Sequence, residues 1–254
     1  MPEGLQVVSP GIAPAAPRPA PGPRGGFRAI VFDLAGVLLD SEKAHENAAR
    51  QAAAQLRLSV PGSAWSRLRG GAYEDFFEHL LSLPENAAAG VRPLQVVLLA
   101  YERYHDEVRR AAQLFDDTIA VLQAARERFA FVALATSSEW RLVDSALRHF
   151  GLAGYFDGVI SGDHLTQKKP APEAYLVAAW LLGVRPAGMV VVEDSTHGIR
   201  AARLARAYTI GLATSRDAQA LRAARAHCVV RDHRELIARF DAMAMAGCLA
   251  TRAA

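Results

Sequence analysis

Short, strongly apolar runs alternate with helical periodicity along most of the chain. "FRAIVFD", "FVALAT", "GVIS", "MVVVED" and "YTIGLAT" are the clearest of these runs. They are short and nearly continuous in apolar character, the pattern of strands covered on both faces. Between them, apolar residues recur at i, i+3 and i+4, the pattern of helices with one buried stripe. Strands and helices in alternation predict an α/β fold, a doubly wound (Rossmann-like) parallel sheet with helices on both faces.

The alternation breaks after the first strand. From about residue 41 to 111 the chain reads as helix throughout, in "SEKAHENAARQAAAQLRL", "YEDFFEHLLSL" and "PLQVVLLAYERYHDEVRRAA". Such a length far exceeds what a crossover connection needs, so residues 41–111 are expected to form a helical cap. The core is then 27–40 together with 112–245. Residues 1–26 hold roughly half of the prolines and no apolar period; they are expected to be a disordered Pro/Ala-rich tail and not a targeting signal. Residues 246–254 are expected to fray.

Composition changes this picture little. A length of 254 residues suits one large α/β domain with an insertion, and no apolar run reaches the roughly 18 to 20 residues of a membrane span. The two cysteines, Cys228 and Cys248, fit a reducing compartment, and a cytoplasmic location is expected. The net charge is +3, with arginines spread through Ala/Arg-rich helices such as "IRAARLARA". That is the look of solvated helix faces; neither nucleic acid nor membrane is expected as a partner.

The candidate chemistry gathers where strands end. In open parallel sheets ligands bind beyond the carboxyl ends of the strands. Asp33 closes the first run and Gly36 follows it; a carboxylate there can act as nucleophile, bind a metal or simply cap a turn. Thr136 closes "FVALAT", and with Ser137 onward it suits a phosphate or a helix cap. "QKKPAPEAY" brings Lys168 and Lys169, able to neutralise a phosphoryl oxygen. "VVVEDSTHGIRAA" ends the most apolar run with adjacent acids, Glu193 and Asp194, which at a crevice edge call for solvent or a shared cation; Mg²⁺ is the usual oxygen-liganded choice beside phosphate. Asp116 and Asp117, before "TIAVLQAARERF", are expected to cap that helix.

In order and spacing, "DLAGVLLDSE", "LATSS", "KKPAPEAY" and "VVEDSTHGIRAA" resemble the four motifs of the haloacid dehalogenase superfamily, in particular its beta-phosphoglucomutase-like phosphatase subgroup. The resemblance covers about residues 27 to 230. It implies a Mg²⁺-dependent phosphatase in which Asp33 forms an aspartyl phosphate. Thr136 and Ser137 would bind the phosphoryl group and Lys169 would bridge it to the nucleophile. Glu193, Asp194, Asp33 and the backbone carbonyl of Ala35 would hold the metal. His45 matches a histidine often found near the leaving group, and the implied substrate is a small phosphorylated metabolite such as a sugar or polyol phosphate, turned over by a monomer or homodimer.

One residue departs from the pattern. Where the family's phosphatases carry an aspartate two residues after the nucleophile, this chain has Ala35. A methyl group can neither protonate a leaving group nor deprotonate water, and general acid–base catalysis is worth about 10² to 10⁴ in rate. The chain is then a phosphatase whose acid was replaced, an enzyme whose chemistry does not need that acid, or a protein that binds a phosphorylated ligand or partner without turnover. Phosphonoacetaldehyde hydrolases do carry alanine here, but they need a cap lysine, and residues 44 to 111 contain none. The mutase reading weakens too, because the cap arginine of beta-phosphoglucomutases falls at Tyr73.

Overall fold

The computed structural model describes residues 26–68 and 72–252, with side chains described through residue 243. The expected tail, apart from Gly26, lies outside the described residues. The chain forms two compact units, one of residues up to Leu39 and from Leu114 onward, the other Asp40–Gln113.

In the first unit six parallel strands form one sheet. They are β1 (Ala29–Phe32), β4 (Phe131–Ala135), β5 (Gly158–Ile160), β6 (Met189–Glu193), β7 (Tyr208–Leu212) and β8 (Cys228–Val230), in the order β5-β4-β1-β6-β7-β8. Two further strands, β2 (Leu39–Asp40) and β3 (Gln113–Leu114), pair with each other where the chain leaves this unit and returns. The first strand in the chain is central, later strands add on one side and then on the other, and the order reverses at β1, a topological switch point. The register sets Phe32 level with both Leu134 and Val192. Residues that follow these three strands therefore emerge side by side at one edge.

Five helices cover this sheet along with α10 (His233–Arg252): α5 (Thr118–Arg128), α6 (Trp140–His149), α7 (Glu173–Leu181), α8 (Thr196–Leu204) and α9 (Ala218–Ala223). Because alternate residues of a strand face opposite sides, Val31, Ala133 and Val191 pack with Ala178 of α7 and Ala201 and Ala202 of α8. Phe32, on the other side, meets Phe240 of α10 edge-on at 6.4 Å, and Phe240 meets Phe129 at 5.5 Å. α10 stays helical through Arg252, across most of the stretch expected to fray, as its Ala- and Met-rich sequence favours. Asp117 does sit at the N-cap position of α5 but makes no capping bond. Its carboxylate instead accepts a hydrogen bond from Arg234, and the neighbouring Thr118 hydroxyl donates to the Leu38 carbonyl at 2.9 Å.

The second unit is helical: α1 (Glu42–Gln55), α2 (Trp65–Leu68), α3 (Tyr73–Ser82) and α4 (Pro93–Ala111). Ala48, Ala49 and Ala52 on α1 bring its backbone close to α4, while Phe76, Phe77 and Leu80 of α3 fill the remaining core. Buried Glu107 on α4 accepts hydrogen bonds from Asn47 and Gln51 of α1, each at 2.9 Å. No helix among the described residues is long and apolar enough to cross a membrane.

Buried Asn86 holds this unit's turns together. Its amide accepts from the Ser59 N–H at 2.8 Å and donates to the Ser59 and Leu80 carbonyls at 2.9 Å. Asn86→Ala removes these three hydrogen bonds, leaving the Leu80 carbonyl with only the Leu83 N–H and the Ser59 backbone without the amide, and is expected to cost about 1–3 kcal/mol. Urea unfolding followed by circular dichroism checks this; an unchanged midpoint would show that the turns hold without the amide.

Candidate active site

β1, β4 and β6 each hand a polar residue to the switch point. Asp33 follows β1, and its N–H continues the ladder to the Val192 carbonyl at 3.1 Å. The chain then turns sharply: Leu38 and Leu39 both donate to the Leu34 carbonyl, and Gly36 donates to Leu39 at 2.8 Å. Gly36 has φ +75°, a conformation open to glycine without steric cost. A Cβ there would also collide with the Asp194 carboxylate and the Ser215 hydroxyl. The Thr214 hydroxyl, from the loop after β7, donates to the Gly36 carbonyl. Ala35 is therefore held by backbone bonds of its neighbours and not by its own side chain.

Glu193 ends β6 and Asp194 follows it, and the two acids take different neighbours. Glu193 turns to Lys169 and Asp194 turns to Gly36 and Ser215. Lys169 spends all three of its ammonium protons: on Asp33 Oδ1 at 2.6 Å, on Glu193 Oε1 at 2.6 Å and on the Ala135 carbonyl at 2.9 Å. Its side chain is 7% exposed. The Lys169–Pro170 bond is cis, and Glu173 fixes the loop before α7 by accepting from the N–H groups of Thr166 and Gln167 at 2.9 and 2.6 Å.

Both oxygens of Glu193 are occupied. Oε1 also accepts from the Tyr175 hydroxyl at 2.7 Å, and Oε2 accepts from the Ser195 hydroxyl at 2.9 Å and its N–H at 3.2 Å. Ser195 caps α8 through the Gly198 N–H, and a Cβ at Gly198 would run into the Glu193 carboxylate. Neither Tyr175 nor Ser195 carries a sequence signal, since a tyrosine in an apolar helix and a serine at a helix start are ordinary.

Thr136 is 2% exposed, donates its N–H to the Ile160 carbonyl at 2.9 Å and accepts from the Ser138 N–H on its hydroxyl at 3.2 Å. Helix α6 begins only at Trp140, whose N–H goes to Asp163, so Ser137 and Ser138 form the loop before the helix and are not its caps. Lys168 is exposed to solvent.

His45 lies in the helical unit. Its ring stacks on Tyr73 at 4.1 Å and meets Tyr104 edge-on at 5.7 Å, and burial there pushes the imidazole down to about 4. Tyr73 is fully buried and donates its hydroxyl to the His45 carbonyl at 3.0 Å, so a core ring fills the position where a mutase carries its arginine. Arg67 is exposed and Arg69 lies outside the described residues. The same unit has a cavity of about 280 Å³ lined by Asp40, Glu42, Lys43, Glu46, Trp65 and Leu68.

Asp33, Glu193 and Asp194 bring carboxylate oxygens within 4.8 Å of one another. Three buried acids face one buried lysine, and burying charge without a partner is costly. Burial pushes Asp33 up to about 7 even though Lys169 pulls it down, and it raises Asp194 well above the usual carboxylate range, helped by Glu193 and Asp33. Burial would raise Glu193 as well, but Lys169 and the hydrogen bonds hold it below that range. An all-oxygen site with surplus negative charge fits a hard divalent cation.

A Rossmann-like core with a lysine-bridged acidic cluster at its switch point, and a helical insertion after the first strand, is the build of a hydrolase. Residues 27–206 match the haloacid dehalogenase-like hydrolases, and the chain belongs to that family. It is 31% identical to the fructose-1-phosphate phosphatase YqaB of Escherichia coli, over 70% of this chain and 93% of that one. It is 32% identical to the validoxylamine A 7'-phosphate phosphatase of Streptomyces hygroscopicus, over 83% of this chain and 96% of the relative. Among solved structures, a haloacid dehalogenase-like protein of unknown function from Agrobacterium tumefaciens superposes with a TM-score of 0.72 at 26% identity, covering 86% of this chain and all of the other. The chain is a phosphatase-type hydrolase.

The raised carboxyls set a pH dependence. Between the ordinary value of 3.8 and about 7, Asp33 in the folded protein holds a proton that the unfolded chain has released. Without a cation, stability contributed at this site therefore falls as pH rises through that window. A bound divalent cation removes the cost, so the rise in Tm on adding Mg²⁺ should be larger at about pH 8 than at about pH 5.5. Equal shifts at both pH values would contradict this.

Proposed function

We propose that this chain is built as a Mg²⁺-dependent phosphomonoesterase for a small phosphorylated metabolite, a sugar or polyol phosphate, and that Ala35 slows its turnover. The observation that carries the reading is Lys169 bridging Asp33 and Glu193 inside the buried acidic cluster. Asp33 is the nucleophile. Lys169, already 2.6 Å from it, neutralises the incoming phosphoryl oxygens, and Thr136 and Ser137 cradle that group.

Asp33, Asp194 and the carbonyl of residue 35 would hold the cation, which supplies charge neutralisation for the phosphoryl group when bound. Glu193, with both oxygens hydrogen-bonded, positions Lys169 and completes the charge of the site from behind it. Two of the relatives named above are, by name, a fructose-1-phosphate phosphatase and a validoxylamine A 7'-phosphate phosphatase, which supports the substrate class. His45, held neutral against Tyr73, makes a poor general acid near pH 7 and does not replace the missing aspartate.

Ala35→Asp should restore the proton carrier with little effect on the fold, because backbone bonds hold the turn. Phosphate release from a panel of sugar and polyol phosphates, with Mg²⁺, is expected to rise at least about 10²-fold in this variant. Equal rates in the two proteins would mean that another group carries the proton and that the reading of Ala35 is wrong.

A further inference from the structure

Ala35 removes proton transfer but leaves the rest of the phosphoryl-accepting apparatus in place. The two acids gathered with Asp33 are Glu193 and Asp194. Glu193 accepts from Lys169, Tyr175 and Ser195. Asp194 is hydrogen-bonded to Ser215 and packs against Gly36, on the side proposed for the cation. Lys169 has no proton uncommitted, and the Thr136 hydroxyl already accepts from the Ser138 N–H. Within this unit the nucleophile and its counter-charge are assembled, while at position 35 a methyl group stands where a proton donor and base would act.

A leaving group that needs no proton escapes the defect. An alcohol departs as an alkoxide whose conjugate acid has a pKa near that of water, about 15.7, and so depends on a donor. A carboxylate departs as a stable anion, its conjugate acid having a pKa of about 4. We infer that this chain, as it stands, takes phosphoryl groups from acyl phosphates and retains them on Asp33. This rests on the proposed reading of Asp33 as nucleophile.

In the step, a carboxylate oxygen of Asp33 forms a bond to phosphorus as the bond from phosphorus to the acyl oxygen breaks. The electron pair leaves with the carboxylate, and no proton moves. Release of the phosphoryl group requires water to lose a proton as it attacks, and that is the half of the cycle that Ala35 disables. Loading is therefore selective for mixed anhydrides over alcohol esters, and unloading is slow.

The test incubates the full-length protein and Mg²⁺ with acetyl phosphate, and separately with glucose 6-phosphate, and follows intact mass. The expected result is a gain of one phosphoryl group from acetyl phosphate alone, mapped to Asp33 and lost in Asp33→Asn. In Ala35→Asp the adduct should decay at least about 10²-fold faster, with phosphate released. If the Ala35 protein gains no mass and releases no phosphate from acetyl phosphate while Ala35→Asp hydrolyses sugar phosphates, the inference is overturned and the proposed function stands. Rapid release of phosphate from acetyl phosphate without an adduct overturns retention. If neither protein is loaded or active with any donor, the assignment of Asp33 falls, and the inference with it. Mapping to Asp33 in the Ala35 protein needs no variant to fold.

Discussion

Everything at the switch point depends on one buried ammonium group. Lys169 is the single cation set among three carboxylates, and its bonds to Asp33, Glu193 and the Ala135 carbonyl tie the ends of β1, β4 and β6 together. Its charge offsets part of the cost of burying those acids, and part only. The remainder is a standing demand for positive charge, which makes the site receptive to a cation and leaves Asp33 poised near neutrality in its absence. Removing the lysine would leave its acids uncompensated, so its effect on stability and its effect on chemistry have one origin.

The surrounding chain is arranged so that these charges sit at fixed places. Glycines stand where the backbone must approach a carboxylate: Gly36 against Asp194, Gly198 against Glu193. Tyr175 and Ser195 hold Glu193 from two sides. Thr214 and Ser215 reach from the loop after β7 to the turn around Gly36 and to Asp194, joining a fourth strand end to the site.

Much of this was legible before any coordinates. The apolar runs gave the sheet, because strands buried on both faces need continuous hydrophobicity, and the polar residues ending those runs fell at the switch point because parallel strands present their carboxyl ends together. Asp33, Thr136, Lys169, Glu193 and Asp194 were recognisable in this way. What could not be read was how adjacent groups divide the work. The pair Glu193 and Asp194 looked like one feature, yet Glu193 binds Lys169, Tyr175 and Ser195 while Asp194 binds Ser215. Tyr175, Ser195, Glu173 and Ser215 act through contacts with residues distant in sequence, and such contacts leave no local pattern. The capping expected of Asp117 failed for the same reason: Arg234, far along the chain, takes its carboxylate, and at the start of α6 the Trp140 N–H goes to distant Asp163.

The turn after β1 has a consequence of another kind. Its geometry rests on backbone bonds and on a glycine, so the side chain at position 35 contributes nothing to holding it. Two of the four alanine codons lie a single base from an aspartate codon. On the reading proposed for Ala35, a lineage carrying this turn exchanges rapid turnover for prolonged occupancy, and recovers it, in one mutational step that folding selection barely sees. Position 35 is thus a place where selection can act on the lifetime of a chemical state without first having to rebuild the molecule that holds it.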